Sequence, residues 1–165
     1  MINYKYLEVK PSKNGQGVFT KLPIAANACI LEFKGDIIPR EKLYYDMSEV
    51  LQIGNNSFLG PSGELDDYVN HSCNPNCLVH VVGNRAFLYS IYMIPSNTEI
   101  TFDYSTCSTD SLDTWKMNCN CGSYHCRKTI SGYQYLSNKL QQEYKDKGIL
   151  PIFITKPGFY QMKWK

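Results

Sequence analysis

Apolar and polar residues alternate along this chain in short runs closed by Gly, Pro, Asn or Ser, the pattern of half-buried strands separated by tight turns. Residues 4–9 join aromatic and branched side chains and are broken by Pro11 to Gly15. A second strand starts at Val18, just past Gly15-Gln16-Gly17. Residues 28–33 form a third, ended by Lys34-Gly35-Asp36, and residues 37–39 extend it after a kink. Between residues 40 and 52, Leu43, Tyr44, Met47 and Leu51 fall at near-helical spacing, which predicts a short helix. Residues 79–82 and 86–91 flank Gly83-Asn84-Arg85 as the arms of a hairpin, with His80 read as a strand histidine without chemistry. Residues 99–104 alternate again, and Tyr104 ends that strand. A convincing helix comes only late, over 138–147: Leu136, Leu140 and Tyr144 share one face, Ser137 caps it, and Gly148 and Pro151 stop it. The expected class is therefore a mostly β domain of many short strands.

Two stretches fit no element. Residues 70–77, Asn-His-Ser-Cys-Asn-Pro-Asn-Cys, hold no apolar side chain other than the thiols and the proline, and predict a tight, polar, ordered loop. Taken alone they are equally well read as a solvent-facing turn. Residues 105–118, rich in Ser, Thr and Asp, predict a flexible connection. The tail over 149–165 is apolar enough to dock, and its lysines read as a solvated rim.

Composition narrows the chemistry. With 165 residues and 43% hydrophobic content, one domain is expected, burying roughly two thirds of its unfolded surface. A net charge of +2, with no basic stripe carrying interleaved aromatics, argues against nucleic acid as a partner. No apolar run approaches a membrane span and no secretory signal stands at the start, so a soluble, intracellular protein of cytoplasm or nucleus is expected, able to act in a host cell if microbial. Seven cysteines is an odd number, and Cys119 and Cys121 are one residue apart, which suits a disulfide framework poorly. The spacing Cys119-x-Cys121-x4-Cys126, with Gly122 at the bend, can bring three thiolates to one tetrahedral zinc. The fourth ligand stays open among His125, Cys73, Cys77 and Cys107, and three buried free thiols are the plain alternative.

Four stretches, in this order, resemble the SET-domain protein lysine methyltransferases. Residues 13–19 resemble the family's glycine-containing cofactor strand, and residues 70–76 its most recognisable loop. Residues 99–104 are similar to the segment ending in the catalytic tyrosine, and Cys119, Cys121, Cys126 and Arg127 resemble the post-SET zinc module. The likeness spans residues 10–127. It implies a SET-domain fold of several short sheets with a knot-like core where the Asn70 loop and the Tyr104 segment meet. Residues 1–104 are then the SET domain with a short insert over 40–69, 119–130 the zinc module, and 131–165 a C-terminal extension.

The resemblance also implies S-adenosylmethionine, bound at Gly15, Gln16, Gly17, Asn70, His71 and Tyr104. Tyr104 becomes the catalytic residue, Phe33, Phe102 and Tyr104 the walls of a substrate channel, and Cys73 the fourth zinc ligand beside Cys119, Cys121 and Cys126. Phe102 stands where a tyrosine hydroxyl would hold a water, which implies di- or trimethylation of a protein lysine, with a histone tail among the candidate substrates. Phe33 replaces the tyrosine often found before Lys34-Gly35, residues 67–69 depart from the usual Arg-Phe-Ile, and Lys128 stands where glycine is common. No cysteine-rich pre-SET segment precedes the first motif, so the chain looks like a minimal SET enzyme. A catalytically weak recognition module that keeps the zinc is the alternative.

Overall fold

Short strands dominate the residues that the computed structural model describes, 4–43, 49–109 and 115–156. In chain order they are β1 (Leu7–Ser12), β2 (Gly15–Thr20), β3 (Cys29–Phe33), β4 (Ile37–Pro39), β5 (Leu51–Gly54), β6 (Ser57–Leu59), β7 (Asn70–His71), β8 (Cys77–Val82), β9 (Arg85–Ser90), β10 (Thr101–Phe102), β11 (Lys116–Asn118) and β12 (Thr129–Ser131). They form small sheets: the hairpins β1-β2 and β11-β12, the three-stranded sheets β3-β9-β8 and β4-β6-β5, and the pair β7-β10.

The hairpin β8-β9 forms as its alternation requires. Cys77, Val79 and Val81 are buried while His80 and Val82 face out, and Val82 pairs with Arg85 across Gly83-Asn84. Gly83 sits at φ 59°, a left-handed conformation that glycine adopts without a Cβ penalty. Val79, Val81, Ala86 and Leu88 then pack with Leu31 and Ile100 in the main core, each large side chain contributing about 1.5–3 kcal/mol by leaving water.

The pair β7-β10 positions everything that follows. It is parallel, with Thr101 beside Asn70 and Phe102 beside His71. Residues 99–104 were expected as one strand, yet only two residues pair in this ladder. The Asn76 side chain takes the place of a further strand: its Oδ1 accepts from the Thr101 N–H at 2.8 Å and its Nδ2 donates to the Glu99 carbonyl at 2.8 Å. A side-chain amide thereby satisfies backbone groups that would otherwise be orphaned.

Three expectations change. The helix predicted over 40–52 is replaced, among the described residues, by a 3-10 turn at Arg40–Lys42 and by β5; residues 44–48 lie outside the described residues. Of the apolar residues at that spacing, Leu51 lies in β5 and packs on the core, beside the buried Gln52. The stretch 105–118, expected as a connection without elements, begins in a buried 3-10 turn at Tyr104–Cys107 and ends in β11; 110–114 lie outside the described residues. Its Ser and Thr side chains bond back to the chain: Thr106 Oγ1 donates to the Asp103 carbonyl at 2.7 Å, and the Thr109 N–H donates to Gln52 Oε1 at 2.8 Å. Residues 4–6 form a 3-10 turn ahead of β1 rather than strand.

The late helix α1 (Asn138–Asp146) is where its pattern puts it, with Ser137 Oγ accepting from the Leu140 N–H and Gly148 at φ 63°. Tyr133, Leu136, Tyr144 and Ile149 form a second core that packs on Leu78 and Ile91 of the β8-β9 region. A short α2 (Ile152–Thr155) then sinks Phe153 into the main core, so the described part of the tail docks; residues 157–165 lie outside the described residues. No helix among the described residues is long and apolar enough to cross a membrane.

Candidate active site

Tyr104 stands at the centre of the site. Its hydroxyl donates to the Val69 carbonyl at 2.8 Å and its N–H donates to His71 Nδ1 at 3.2 Å, so both ends are tied to the strand beside it. Its ring lies 5.4 Å from the His71 ring and 4.9 Å from that of Phe102, which meets Phe33 edge-on at 5.8 Å. Burial, and after it the charge of Glu99, pushes the Tyr104 hydroxyl well above the usual tyrosine range, which keeps it a proton donor.

Phe33, Phe102 and Tyr104 line one cavity of ≈ 90 Å³, together with Leu51, Leu59, Val69, Cys107 and Trp115. The three residues assigned to a channel are therefore brought together. Polar groups stand at the same cavity: Glu49, Asp66 and Asp67. Asp66 is buried and accepts from the Lys34 N–H at 2.7 Å and from Ser62 Oγ, so it also ties β3 to the 3-10 turn at Leu65–Tyr68. Burial pushes the Cys107 thiol up to about 12, which leaves it a protonated apolar wall.

Gly15, Gln16 and Gly17 open β2 directly beside Asn70. Asn70 Nδ2 donates to the Gln16 carbonyl at 2.7 Å and to Glu99 Oε1 at 2.8 Å. Gly17 is buried, and a Cβ there would overlap the Glu99 carboxylate and crowd the Asn70 amide. Glycine is thus required by close approach at this point, whereas nothing approaches Gly15, whose φ of 95° serves the turn.

A sulfur cluster adjoins the tyrosine. The Cys73, Cys119 and Cys121 sulfurs and a His71 ring nitrogen lie within 4.8 Å of one another, and the Cys73 and Cys119 sulfurs are 3.7 Å apart. The Cys126 thiol touches those of Cys119 and Cys121 and reaches the Cys119 carbonyl at 3.5 Å. Burial pushes the Cys73 and Cys119 thiols up. Cys121 is drawn down to about 7 although burial opposes it, by the N–H groups of Cys73 and Ser123 and the neighbouring thiols. Buried sulfurs crowded around one shared charge are a donor set that suits a soft-tolerant divalent ion such as zinc. His71 Nδ1 accepts from the Tyr104 N–H, which leaves Nε2–H to donate to Cys73 Sγ at 3.3 Å. In that tautomer His71 supports a thiolate ligand rather than replacing one. Of the other candidates for the fourth position, His125 is exposed and pairs with Tyr124, while Cys77 and Cys107 are buried in the main core.

Sequence reasoning missed the group that joins cluster and tyrosine. Asp103 is fully buried and receives both Arg127 nitrogens at 2.7 Å, the Tyr144 hydroxyl at 2.6 Å and the Ser105 N–H at 3.0 Å. Arg127 follows Cys126, and its own N–H donates to Cys73 Sγ at 3.3 Å. The clue available was an aspartate between two aromatic residues, Phe102 and Tyr104, at the end of an alternating strand pattern, which needs a partner once buried. Lys128 explains its departure from glycine poorly: it holds φ 64° there, a conformation that costs a non-glycine residue about 1 kcal/mol.

Compared with known proteins, residues 15–105 match the model described as SET domain. The chain is similar to the human Histone-lysine N-methyltransferase SETD1B, 32% identical over 131 residues, covering 70% of this chain and 6% of that protein. It is similar also to the human Histone-lysine N-methyltransferase 2D, 30% identical over 132 residues, covering 71% and 2%. The chain thus spans a small fraction of these relatives. Among solved structures it resembles KRYPTONITE in complex with mCHG DNA and SAH, at TM-score 0.63 and 26% identity over 76% of this chain and 29% of that one. The Arabidopsis thaliana SUVH6 in complex with SAM has TM-score 0.64 and 21% identity, covering 76% and 33%.

Proposed function

The chain belongs to the SET domain family, and from that premise we propose that it transfers a methyl group from S-adenosylmethionine to the side-chain amine of a protein lysine. The observation that carries this reading is the single chain of rings, Phe33, Phe102, Tyr104 and His71, that joins a cavity with aromatic walls to the glycine strand and Asn70. S-adenosylmethionine supplies, when bound, a methyl group on a positively charged sulfur. Gly15, Gln16, Gly17, Asn70, His71 and Tyr104 are the residues that would hold it.

The chain's own work is to align and to desolvate. An in-line displacement needs the amine neutral and aimed, whereas a free lysine has a pKa of about 10.4. The apolar walls Phe33, Leu59, Val69 and Phe102 favour the neutral amine. Glu49 and Asp67, the exposed carboxylates of the cavity, attract the protonated lysine, and its proton is shed to water as it enters. The Tyr104 hydroxyl, held protonated and anchored on Val69, orients the reacting atoms, and its ring face favours the cationic product. Cys73, Cys119, Cys121 and Cys126 would hold a structural zinc that pins the segment carrying β11 and β12 to the Asn70 loop.

Neither Phe33 nor Phe102 carries a hydroxyl, and the Tyr104 hydroxyl spends its one hydrogen on Val69, so neither phenylalanine fixes a water where a second methyl group must go. The product is therefore di- or trimethyl-lysine. The names of the relatives point to a histone tail as the first substrate to try. The test is a screen with labelled S-adenosylmethionine against histones, peptides and lysate, read by mass spectrometry. Methyl-lysine formed by the native protein and reduced at least about 100-fold in Tyr104→Phe is expected. Equal transfer by the variant would remove Tyr104 from the mechanism, and monomethyl-lysine alone under excess donor would remove the product assignment.

A further inference from the structure

Glu99 lies among the residues assigned above to the methyl donor, in surroundings unusual for a carboxylate. It is half-buried just before β10, bridged through its backbone to Phe19 of β2. Its polar contacts are all neutral: Ser12 Oγ at 2.8 and 2.9 Å from its two oxygens, and Asn70 Nδ2 at 2.8 Å from Oε1. No lysine or arginine among the described residues pairs with it. Lys10 pairs with Glu8 at 3.0 Å and donates to Asn97, while the Lys13 amine lies against Gly122. A carboxylate withdrawn from bulk water and met only by neutral donors exerts its charge on what lies nearby. That charge reaches the reacting end of the site, since it adds to burial in raising the Tyr104 hydroxyl.

Two further details orient this charge toward a ligand. Gly17 has no side chain where a Cβ would strike Oε1, so the carboxylate rests directly against the backbone of the glycine strand. Both hydrogens of the Asn70 amide are taken, by the Gln16 carbonyl and by Glu99, which leaves Asn70 Oδ1 as a second acceptor. An unpaired carboxylate beside a fixed amide oxygen is a setting for a cation.

We propose that Glu99 is the counter-charge for the methyl donor, favouring its sulfonium form over the thioether product. The assignment rests on the donor reading given above. On transfer the carbon–sulfur bond breaks with its electron pair remaining on sulfur, a carbon–nitrogen bond forms, and the positive charge leaves with the methylated amine. The attraction to Glu99 at the sulfur is then gone, and the product is held less tightly relative to the donor than it would be by a neutral site.

The test measures binding of S-adenosylmethionine and S-adenosylhomocysteine by calorimetry to the full chain and three variants. Glu99→Gln, which keeps shape and acceptor but not charge, is expected to shift the ratio of the two affinities toward the thioether by about tenfold. Ser12→Lys, which places an ammonium beside the intact carboxylate, should shift it in the same direction and carries the test if Glu99→Gln does not fold. Ser12→Ala, which removes the hydroxyl shared between the two carboxylate oxygens but no charge, should leave the ratio unchanged. An unaltered ratio in Glu99→Gln and Ser12→Lys, or an equal shift in Ser12→Ala, overturns the assignment of charge. If the native chain binds neither molecule, the donor reading fails and this assignment falls with it.

Discussion

A single buried carboxylate, Asp103, connects the residue next to it in sequence, Tyr104, to two elements far along the chain. Its partners are an arginine from the sulfur-rich segment and a tyrosine from α1, and its side chain is fully shielded from water. Such a group is stable only while its hydrogen bonds are complete, because an uncompensated buried charge costs several kcal/mol. Asp103→Asn should therefore lower stability by about 3 kcal/mol, as the Arg127 guanidinium, 20% exposed, is left without its anion. Tyr144→Phe removes only one donor to a carboxylate and should cost about 1.5–3 kcal/mol. Chemical denaturation of the two variants checks the order, and a Tyr144→Phe loss equal to or larger than that of Asp103→Asn would show that the ion pair contributes little.

At the scale of the element, the segment from β11 to β12 is held by sulfur and by the Arg127–Asp103 pair, with little apolar burial of its own. Its buried apolar side chain is Ile130, with Met117 and Trp115 partly covered, and besides the Arg127–Asp103 pair its packing runs through Cys73, Cys119, Cys121 and Cys126. A two-stranded hairpin of this size is marginal alone in water. Removing the ion with a chelator, or substituting Cys121→Ser, is expected to release about one zinc per chain and to free residues 115–131 to rapid amide exchange, because binding energy at such a site is folding energy. Slow exchange retained in that segment after metal release would mean that Arg127 and Asp103 suffice to hold it. The grouping of the thiols was readable in advance from their spacing, and the Asn70 loop from its polar residue types, whereas β11 lies in a stretch that reads as a connection. What could not be read was any side chain whose partner depends on how the chain is threaded. Asn76 acting as a strand, Glu99 under Gly17 and Asp103 on Arg127 are each ordinary residues locally. Leu51 misled for the opposite reason, since an apolar residue at a spacing suited to a helix pairs instead with Leu59 of β6.

For the whole molecule, the C-terminal extension is part of the site rather than an appendage. The family match ends at residue 105, yet Tyr133, Leu136, Tyr144 and Ile149 cover Leu78 and Ile91 of the β8-β9 region, Tyr144 completes the shell of Asp103, and Phe153 is 1% exposed in the main core beside residues of β3 and β8. The amphipathic pattern of α1 announced a docked helix but carried no sign of what it docks on, because that surface is assembled from strands some sixty residues earlier. The extension therefore has two separable roles, filling the core and holding Asp103. Phe153→Ala tests the first: it empties a large buried site in the main core and should cost about 3–5 kcal/mol. Together with Tyr144→Phe it forms a pair whose side chains lie in different cores, with only Ile154 among the described residues packed against both, so the two losses should add to within about 0.5 kcal/mol. If α1 and α2 instead undock as one unit, the first substitution will already have released Tyr144, and the double variant will be scarcely less stable than Phe153→Ala alone. Urea denaturation of both single variants and the double variant distinguishes these outcomes, and near-additivity is the result expected from separate anchors in two separate cores.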